Sequence, residues 1–184
     1  NGRAARHGSI NLGDYRNTAD RPAEIRPTEG DWEAIPTTNE SYGYNALDTN
    51  HKPASHFIRL LAKAAAKGGN ILLNFGPRGD GTIDAADSRI LTDVGKWMEV
   101  NGASIRGTRR TPLDRQAWGD STLGKNKLYL HVMQWPADGK LVIGGLTTDA
   151  SKAYLLSDPK VVLGVRRLNA HDVEIAVARQ APDP

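Results

Sequence analysis

The stretch from Asn70 to Gly81 contains the residues whose types and spacing point most directly to chemistry. Polar Asn74 lies near the carboxyl end of the apolar run Ile71 to Phe75, and a glycine-rich turn from Gly76 to Gly81 follows. In parallel α/β sheets, ligands bind beyond the carboxyl ends of the strands. A glycine-rich turn can also cradle a phosphate, but the Lys-Ser or Lys-Thr pair of a Walker loop does not follow this one. The pattern therefore indicates a site at a strand end and does not favour nucleotide binding.

Metal and adhesion chemistry are not indicated by the remaining motifs. The histidines show no ligand spacing for a metal, and His131 lies in a strand pattern, where packing accounts for it. There is no cysteine, which excludes disulfides and thiolate ligands within the chain. Arg78-Gly79-Asp80 spells an adhesion tripeptide, which we interpret as part of the turn. We predict no metal and no cofactor. The histidines concerned are His7, His51, His56, His131 and His171.

The apolar run of residues 71–75 must be positioned by the elements around it. Its Gly and Pro borders, with helical patterns on both sides, predict a strand buried on both faces of a parallel sheet. Ser55 is predicted to cap the preceding helix, and Gly68 to end it. Asp84 and Asp87 are predicted to begin the following helix, which stops at Asn101-Gly102. The apolar faces consist of Phe57, Leu60, Leu61, Ala64 and Ala65 in the first helix, and Ile90, Leu91, Val94, Trp97 and Met98 in the second.

The rest of the chain differs in character from this helix-strand-helix segment. Residues 1–54 read as long loops around one strand that begins at Trp32. Beyond Thr108 the pattern becomes one of short alternating strands, which predicts an antiparallel β-sandwich. We expect a boundary between residues 103 and 112. The predicted strands of the tail are residues 127–134, 140–143, 153–156, 161–165 and 173–178.

Composition narrows the possible partners. The 184 residues carry a net charge of +3, with basic and acidic side chains interspersed, so nucleic-acid binding is not indicated. No apolar run approaches the roughly 18 residues that span a bilayer, so no membrane partner is expected.

One strand between two helices cannot close a parallel sheet, and the end at Pro184 follows a turn signal. We therefore interpret the chain as an internal fragment.

Several motifs occur in the order found in α-L-fucosidases, the retaining family of glycoside hydrolases, which this chain resembles. The resemblance is close over the first 108 residues and looser in the tail. It implies that residues 1–105 are the C-terminal part of a (β/α)8-type catalytic barrel and that residues 106–184 are a truncated C-terminal β-sandwich. The motifs are Asn1-Gly2-Arg3, Gly13-Asp14-Tyr15-Arg16, Trp32-Glu33, Ser41-Tyr42-Gly43-Tyr44-Asn45, Lys67 to Pro77, Asp80-Gly81-Thr82-Ile83, Gly95-Lys96-Trp97, Asn101-Gly102 and Ile105-Arg106-Gly107-Thr108.

The resemblance also implies catalytic carboxyl groups. Retaining glycosidases use two, about 5 to 5.5 Å apart, as nucleophile and as general acid/base. In the family the nucleophilic aspartate precedes the position that matches Asn1. The family's acid/base glutamate matches Asp20, with Asn17 inserted before it. Glu33 is the second candidate for the acid/base. Its alternative role is that of a buried carboxylate paired with Arg3 or Arg16. Glu24 and Glu29 are further candidates for the acid/base.

Three residues are implied as sugar contacts. Arg3 matches an arginine that reaches the sugar and the nucleophile, and its fixed positive charge would keep an attacking carboxylate ionised. Tyr42 matches an aromatic residue that packs against the methyl group of fucose, where galactose would bury an unpaired hydroxyl. Trp32 is either a platform for the sugar or an ordinary core tryptophan. In the tail, core packing is the favoured role of Tyr129 and Trp135.

The resemblance predicts hydrolysis of terminal α-L-fucosyl residues from glycoconjugates or polysaccharides. The expected partners are a fucosylated glycan and the missing N-terminal part of the barrel, and we expect a secreted or periplasmic protein. The fragment alone is expected to be inactive. Two alternatives stay open: a degenerate homologue that binds carbohydrate without cutting it, and a purely structural portion of a larger domain.

Overall fold

The computed structural model describes residues 30–183 and the backbone of residues 16–20. The chain divides into two compact units, residues 1–99 and residues 100–184. The resemblance to fucosidases places this division between residues 105 and 106 instead. None of the helices in the described part of the chain is long and apolar enough to cross a membrane.

The first unit contains a parallel sheet of three strands, β1 (Arg16–Asp20), β2 (Trp32–Ile35) and β3 (Asn70–Ile71). They lie side by side in the order β1-β2-β3, and both pairings are parallel. Consecutive strands of a (β/α)8 barrel have this order. The carboxyl ends of all three strands therefore lie along one edge of the sheet.

Helix α1 (Ala54–Ala66) connects β2 to β3 and covers one face of the sheet. Phe57, Leu60 and Ala64 recur at helical spacing and pack with Trp32 and Ala34 of β2, as the periodicity predicted. The prediction that Ser55 caps the helix is wrong. The N-cap is Pro53, which makes no side-chain hydrogen bond, because the helix begins two residues earlier than a cap at Ser55 would place it.

The C-terminal end of α1 agrees with the prediction that Gly68 stops it. Gly68 has φ +72°, a left-handed conformation that a residue without Cβ adopts readily. The N–H of Gly69 then donates to the carbonyl of Ala64 at 2.9 Å. The chain turns here and enters β3 after Gly69.

Helix α2 (Ala85–Asn101) follows β3 and begins as the sequence predicted. Oδ1 of Asp84 accepts the N–H of Asp87 at 2.8 Å, which satisfies one of the free donors of the first turn. Ile90 is buried in the same core as α1, and Val94 packs against it. A short 3₁₀ turn, Gly102–Ser104, ends the helix.

The strand predicted at residues 71–75 differs from expectation in its burial. Its parallel hydrogen bonding continues past β3, since the N–H of Leu72 donates to Ala34 O and the N–H of Asn74 to Pro36 O. Ile71 and Leu73 pack against the helices, whereas Leu72 points the other way and is 53% exposed. Burial on both faces is therefore a wrong prediction for the described residues, because α1 and α2 cover only one face.

The second unit is built from short antiparallel strands. One sheet is β4 (Arg109–Arg110), β5 (Gly119–Leu123) and β6 (Leu128–Val132). The remaining strands are β7 (Lys140–Ile143), β8 (Ala153–Leu155), β9 (Asp158–Leu163), β10 (Val165–Arg167) and β11 (Val173–Ala176). A second sheet has the order β10-β11-β7, and β8 pairs with β9 in a hairpin.

The second unit has its own hydrophobic core. Trp118, Leu141, Ile143 and Ile175 are buried together, and side chains of β6 pack against them. This core joins the sheet that contains β6 to the sheet that contains β7 and β11. Two antiparallel sheets that share one core form the sandwich arrangement expected of the tail.

Candidate functional site

The carboxyl edge of the parallel sheet brings together three segments that are distant in the sequence. Asp20, the last residue of β1, pairs with Ile35, the last residue of β2. Two residues further on, Thr37 forms a parallel bridge with Asn74. In parallel α/β folds this edge is where substrates bind and where catalytic side chains are placed. We take it as the candidate active site.

A β-bulge precedes Asp20. Asn17 pairs with Glu33, and the next pair is Asp20 with Ile35, so three steps along β1 correspond to two along β2. One extra residue is therefore accommodated between Asn17 and Asp20, where the family resemblance suggests an insertion. Bulges bend a strand locally and re-aim the side chains beyond them, and they are frequent beside active sites.

Glu33, the second acid/base candidate, lies further from this edge. It is the second residue of β2, half-buried, and on the opposite face from the buried Trp32 and Ala34. It lies two steps before Ile35, the last residue of the strand, a distance of about 6 to 7 Å at the usual rise per residue. Among the two ranked candidates, Asp20 has the backbone position closer to the edge.

Trp32 lies in the core of the first unit. Its side chain is 1% exposed and packs with Ala34, Phe57 and Leu60. A Cβ built on Gly69 would come within 2.2 Å of the Trp32 ring, so the indole lies directly against that glycine. Of the two roles expected for Trp32, the structure shows the core tryptophan and not the sugar platform. Its ring has no open face for a ligand.

Tyr42 lies in a loop of residues 37–48 at the carboxyl edge, which we call the rim loop. Its φ of +69° is left-handed, which is uncommon for a residue with a side chain. Asn39 stabilises this conformation, because its Oδ1 accepts the N–H of Tyr42 at 3.0 Å and its Nδ2 donates to Gly43 O at 3.0 Å. The rim loop therefore holds Tyr42 in one defined backbone conformation.

Asp48 fixes the other side of the rim loop. One oxygen, Oδ2, accepts the N–H groups of Glu40 at 3.0 Å and Ser41 at 2.7 Å. The hydrogen bond from the Ser41 side chain is the largest of several that hold the pKa of the Asp48 carboxyl below its usual value. An ionised Asp48 is thus a structural anchor of the loop.

Asn74 ties the rim loop to the strand segment. Its Nδ2 donates to the carbonyl of Tyr42 at 2.5 Å and to Oγ1 of Thr37 at 3.1 Å. Gly76 allows the loop to approach, since a Cβ there would lie 2.0 Å from the backbone nitrogen of Tyr44. Asn74 is recognisable in the sequence as a strand-end residue, but its link to Tyr42 is not, because 32 residues separate the two.

The glycine-rich segment after Asn74 is a hydrogen-bonded turn, as predicted. The N–H of Arg78 donates to Thr82 O at 2.8 Å, and Oδ1 of Asp80 accepts from Oγ1 of Thr82 at 2.7 Å. That side-chain bond is the main cause of a lowered pKa at Asp80. The Arg78 guanidinium lies 5.4 Å from the ring centre of Tyr44, within cation–π range. Arg78 therefore lies beside Tyr44 of the rim loop.

Some of the predicted site residues cannot be placed. Arg3 and the rival carboxylates Glu24 and Glu29 lie outside the described residues, and Asp20 is described by its backbone alone. The structure thus brings together the Asp20 backbone, Tyr42 and Asn74 at one sheet edge.

Known proteins are similar to this chain in both sequence and fold. The family model described as Alpha-L-fucosidase matches residues 2–103, more than half of the 184. An alpha-L-fucosidase of Branchiostoma floridae is 33% identical over 119 residues, 61% of this chain and 26% of that protein. Tissue alpha-L-fucosidase of Bos taurus is 30% identical over 170 residues, 87% of this chain and 35% of that protein.

Solved structures of fucosidases superpose on nearly the whole chain. Alpha-L-fucosidase isoenzyme 1 of Paenibacillus thiaminolyticus aligns with a TM-score of 0.85 and 30% identity, over 97% of this chain and 44% of its own. A Bacteroides thetaiotaomicron alpha-L-fucosidase, trapped as a covalent intermediate with 2-fluoro-fucosyl fluoride, aligns with a TM-score of 0.82 and 27% identity, over 93% of this chain and 41% of its own.

The chain spans 26% to 35% of the length of these two curated relatives. The matching family model, the relatives at 30% identity or above and the shared fold agree with the order of motifs in the sequence. The chain belongs to the alpha-L-fucosidase family.

Proposed function

We propose that this chain supplies the general acid/base and part of the sugar pocket of a retaining α-L-fucosidase. The observation that carries the proposal is the register of the parallel sheet, in which the Asp20 backbone ends at the same edge as Thr37 and Asn74. Fucosyl hydrolysis is the activity named for the relatives, one of which forms a covalent intermediate. A covalent intermediate is the hallmark of the retaining route.

In this mechanism Asp20 acts twice. Its carboxyl group protonates the glycosidic oxygen while an upstream aspartate, implied by the family resemblance, attacks the anomeric carbon. Its carboxylate then takes a proton from the water that hydrolyses the fucosyl ester. The side chain of Asp is one methylene shorter than the family's Glu. The bulge before Asp20 supports its role, because an extra backbone residue can compensate for a shorter side chain.

Tyr42 and Arg3 complete the proposed pocket. The hydrogen bonds from Asn39 and Asn74 to the backbone of Tyr42 pre-organise the residue that is proposed to contact the methyl group of fucose. Arg3 is proposed to keep the nucleophile ionised. Trp32 contributes by supporting β2 from the core.

The proposal is tested with Asp20→Ala in the full-length protein. We expect kcat/KM to fall by about 10² to 10⁴ on fucosides with poor leaving groups, because these need protonation of the leaving oxygen. Aryl fucosides with very acidic phenols should keep most of their kcat/KM, since their bond breaks without that proton.

Glu33→Gln is the matched control, and it should affect both substrate classes similarly. If instead Glu33→Gln shows the dependence on the leaving group and Asp20→Ala does not, Glu33 is the acid/base.

A non-catalytic role is the second candidate, favoured by Asp20 in place of the family's Glu. It predicts that the full-length protein binds fucose in a calorimetric titration yet releases no phenol from any aryl α-L-fucoside.

A further inference from the structure

Three polar side chains converge in the first unit, on residues outside β1 and the rim loop. His51 comes from the segment that leads into α1, and Asp84 and Asp87 come from the start of α2. Nε2 of His51 lies 3.5 Å from Oδ1 of Asp87 and 3.9 Å from Oδ2 of Asp84. One ligand atom from each side chain lies within 4.8 Å of the others.

These groups are buried to an unusual degree for an acidic cluster. The side chain of Asp87 is 1% exposed, and those of His51 and Asp84 are 15% and 16% exposed. Nε2 of His51 and Oδ1 of Asp87 are buried and have no hydrogen-bond partner among the described residues. A buried carboxylate oxygen without a hydrogen-bond partner destabilises the folded state, so these unpaired atoms indicate a ligand.

The distances fit a shared cation better than a direct hydrogen bond. A charge-assisted bond from an imidazolium to a carboxylate has a length of about 2.7 to 2.9 Å, shorter than the 3.5 Å separation of His51 and Asp87. Ligands of a tetrahedral ion with bonds of about 2.0 to 2.1 Å lie about 3.3 to 3.4 Å apart. The separations of His51 from Asp87 and from Asp84, 3.5 and 3.9 Å, lie within about 0.6 Å of this value.

We propose that His51, Asp84 and Asp87 bind a divalent transition-metal cation, with Zn²⁺ as the best fit. One imidazole nitrogen and two carboxylate oxygens are a donor set that zinc accepts, and water can complete the tetrahedron. Two negative charges would be neutralised by the ion. Oδ1 of Asp84 caps α2 while Oδ2 faces His51, so capping and ligation use different oxygens.

The site would join the segment before α1 to the first turn of α2. Its role is structural, because it lies on neither β1 nor the rim loop. No metal was expected from the sequence because His51 is more than thirty residues from the two aspartates, so the three side chains show no local ligand spacing. The inference does not depend on the proposed fucosidase activity.

The test is a calorimetric titration of ZnCl₂ into the chelator-treated full-length protein, together with a thermal melt. We expect one equivalent of Zn²⁺ to bind and the melting temperature to rise. Co²⁺ in the same site should give the intense visible absorption of a four-coordinate ion. His51→Gln and Asp87→Asn should each weaken binding by on the order of 100-fold or more.

Control variants separate the site from non-specific binding. His171→Gln and Asp93→Asn change exposed residues of the same types and should bind Zn²⁺ like the parent. Asp84→Asn keeps an Asn cap on α2, so it reports on ligation even if Asp87→Asn fails to fold. The proposal is overturned if the parent binds no stoichiometric Zn²⁺, or if His51→Gln and Asp84→Asn bind it unchanged.

Discussion

His131 is a buried histidine of the second unit whose surroundings favour the neutral form. Oγ1 of Thr122 donates to Ser104 O at 2.6 Å and lies 3.1 Å from Nε2 of His131. Because the hydroxyl hydrogen is already used, the imidazole N–H donates a hydrogen bond to Oγ1. Burial lowers the pKa of His131 to about 4, against smaller opposing effects of Asp120 and of the Ser104 backbone. His131 is thus a packing residue, as its strand pattern predicted.

This histidine should make the second unit sensitive to acid. Its pKa is lower in the folded chain than the 6.5 of the unfolded chain, so the unfolded state binds more protons between these values. Well above pH 6.5 the neutral His131 therefore costs the folded state nothing. As the pH falls from 6.5 towards 4, the free energy of unfolding declines by up to about 3 kcal/mol. Urea unfolding at pH 7.5 and 4.5 measures the decline. His131→Gln should reduce it, with His171→Gln as the control; an undiminished decline in His131→Gln would contradict the assignment.

At the scale of elements, periodicity and stop signals were enough to predict both helices. Gly68 ends α1 and Asp84 caps α2, as predicted. Both features can be predicted because a left-handed φ and an N-cap depend on the residues at the helix end alone. Strand β5 was missed, since Gly-Asp-Ser-Thr-Leu has no apolar alternation and is buried through Ser121 and Thr122. The contact of Asn74 with Tyr42 could not be predicted either, because it depends on the pairing of segments that are far apart.

The junction between α1 and β3 depends on the size of Gly69. A methyl group there would overlap the ring of Trp32, which is enclosed by core residues and cannot move aside. We expect Gly69→Ala to lower the free energy of unfolding by about 1 to 3 kcal/mol. Gly95→Ala is the matched control: Gly95 lies within α2 with open space around its Cα, so alanine should stabilise by about 0.5 to 1 kcal/mol. Both are measured by urea unfolding, and equal effects of the two changes would contradict the overlap.

At the scale of the whole molecule, this chain corresponds to a minor part of the length of its relatives. It spans about a third of the bovine enzyme, and its described parallel sheet has three strands. A retaining site needs two carboxyl groups on opposite sides of one glycosidic bond. Under the proposed function, one of them comes from a strand upstream of Asn1.

The 184 residues alone are therefore expected to hydrolyse no aryl α-L-fucoside. Joined to the upstream barrel strands, the same residues should release the phenol at a measurable rate, and an Asp20→Ala version of the joined protein is the control. Release of phenol by the 184 residues alone would show that both catalytic carboxyl groups lie within them.

The bulge in β1 has a consequence for how this edge of the sheet tolerates change. Under the proposed acid/base role of Asp20, backbone length and side-chain length offset each other there, since β1 has one extra residue before Asp20 and Asp is one methylene shorter than the family's Glu. We expect that removing Asn17 alone, or Asp20→Glu alone, misplaces the catalytic carboxyl group. The two changes together are expected to restore the family's spacing.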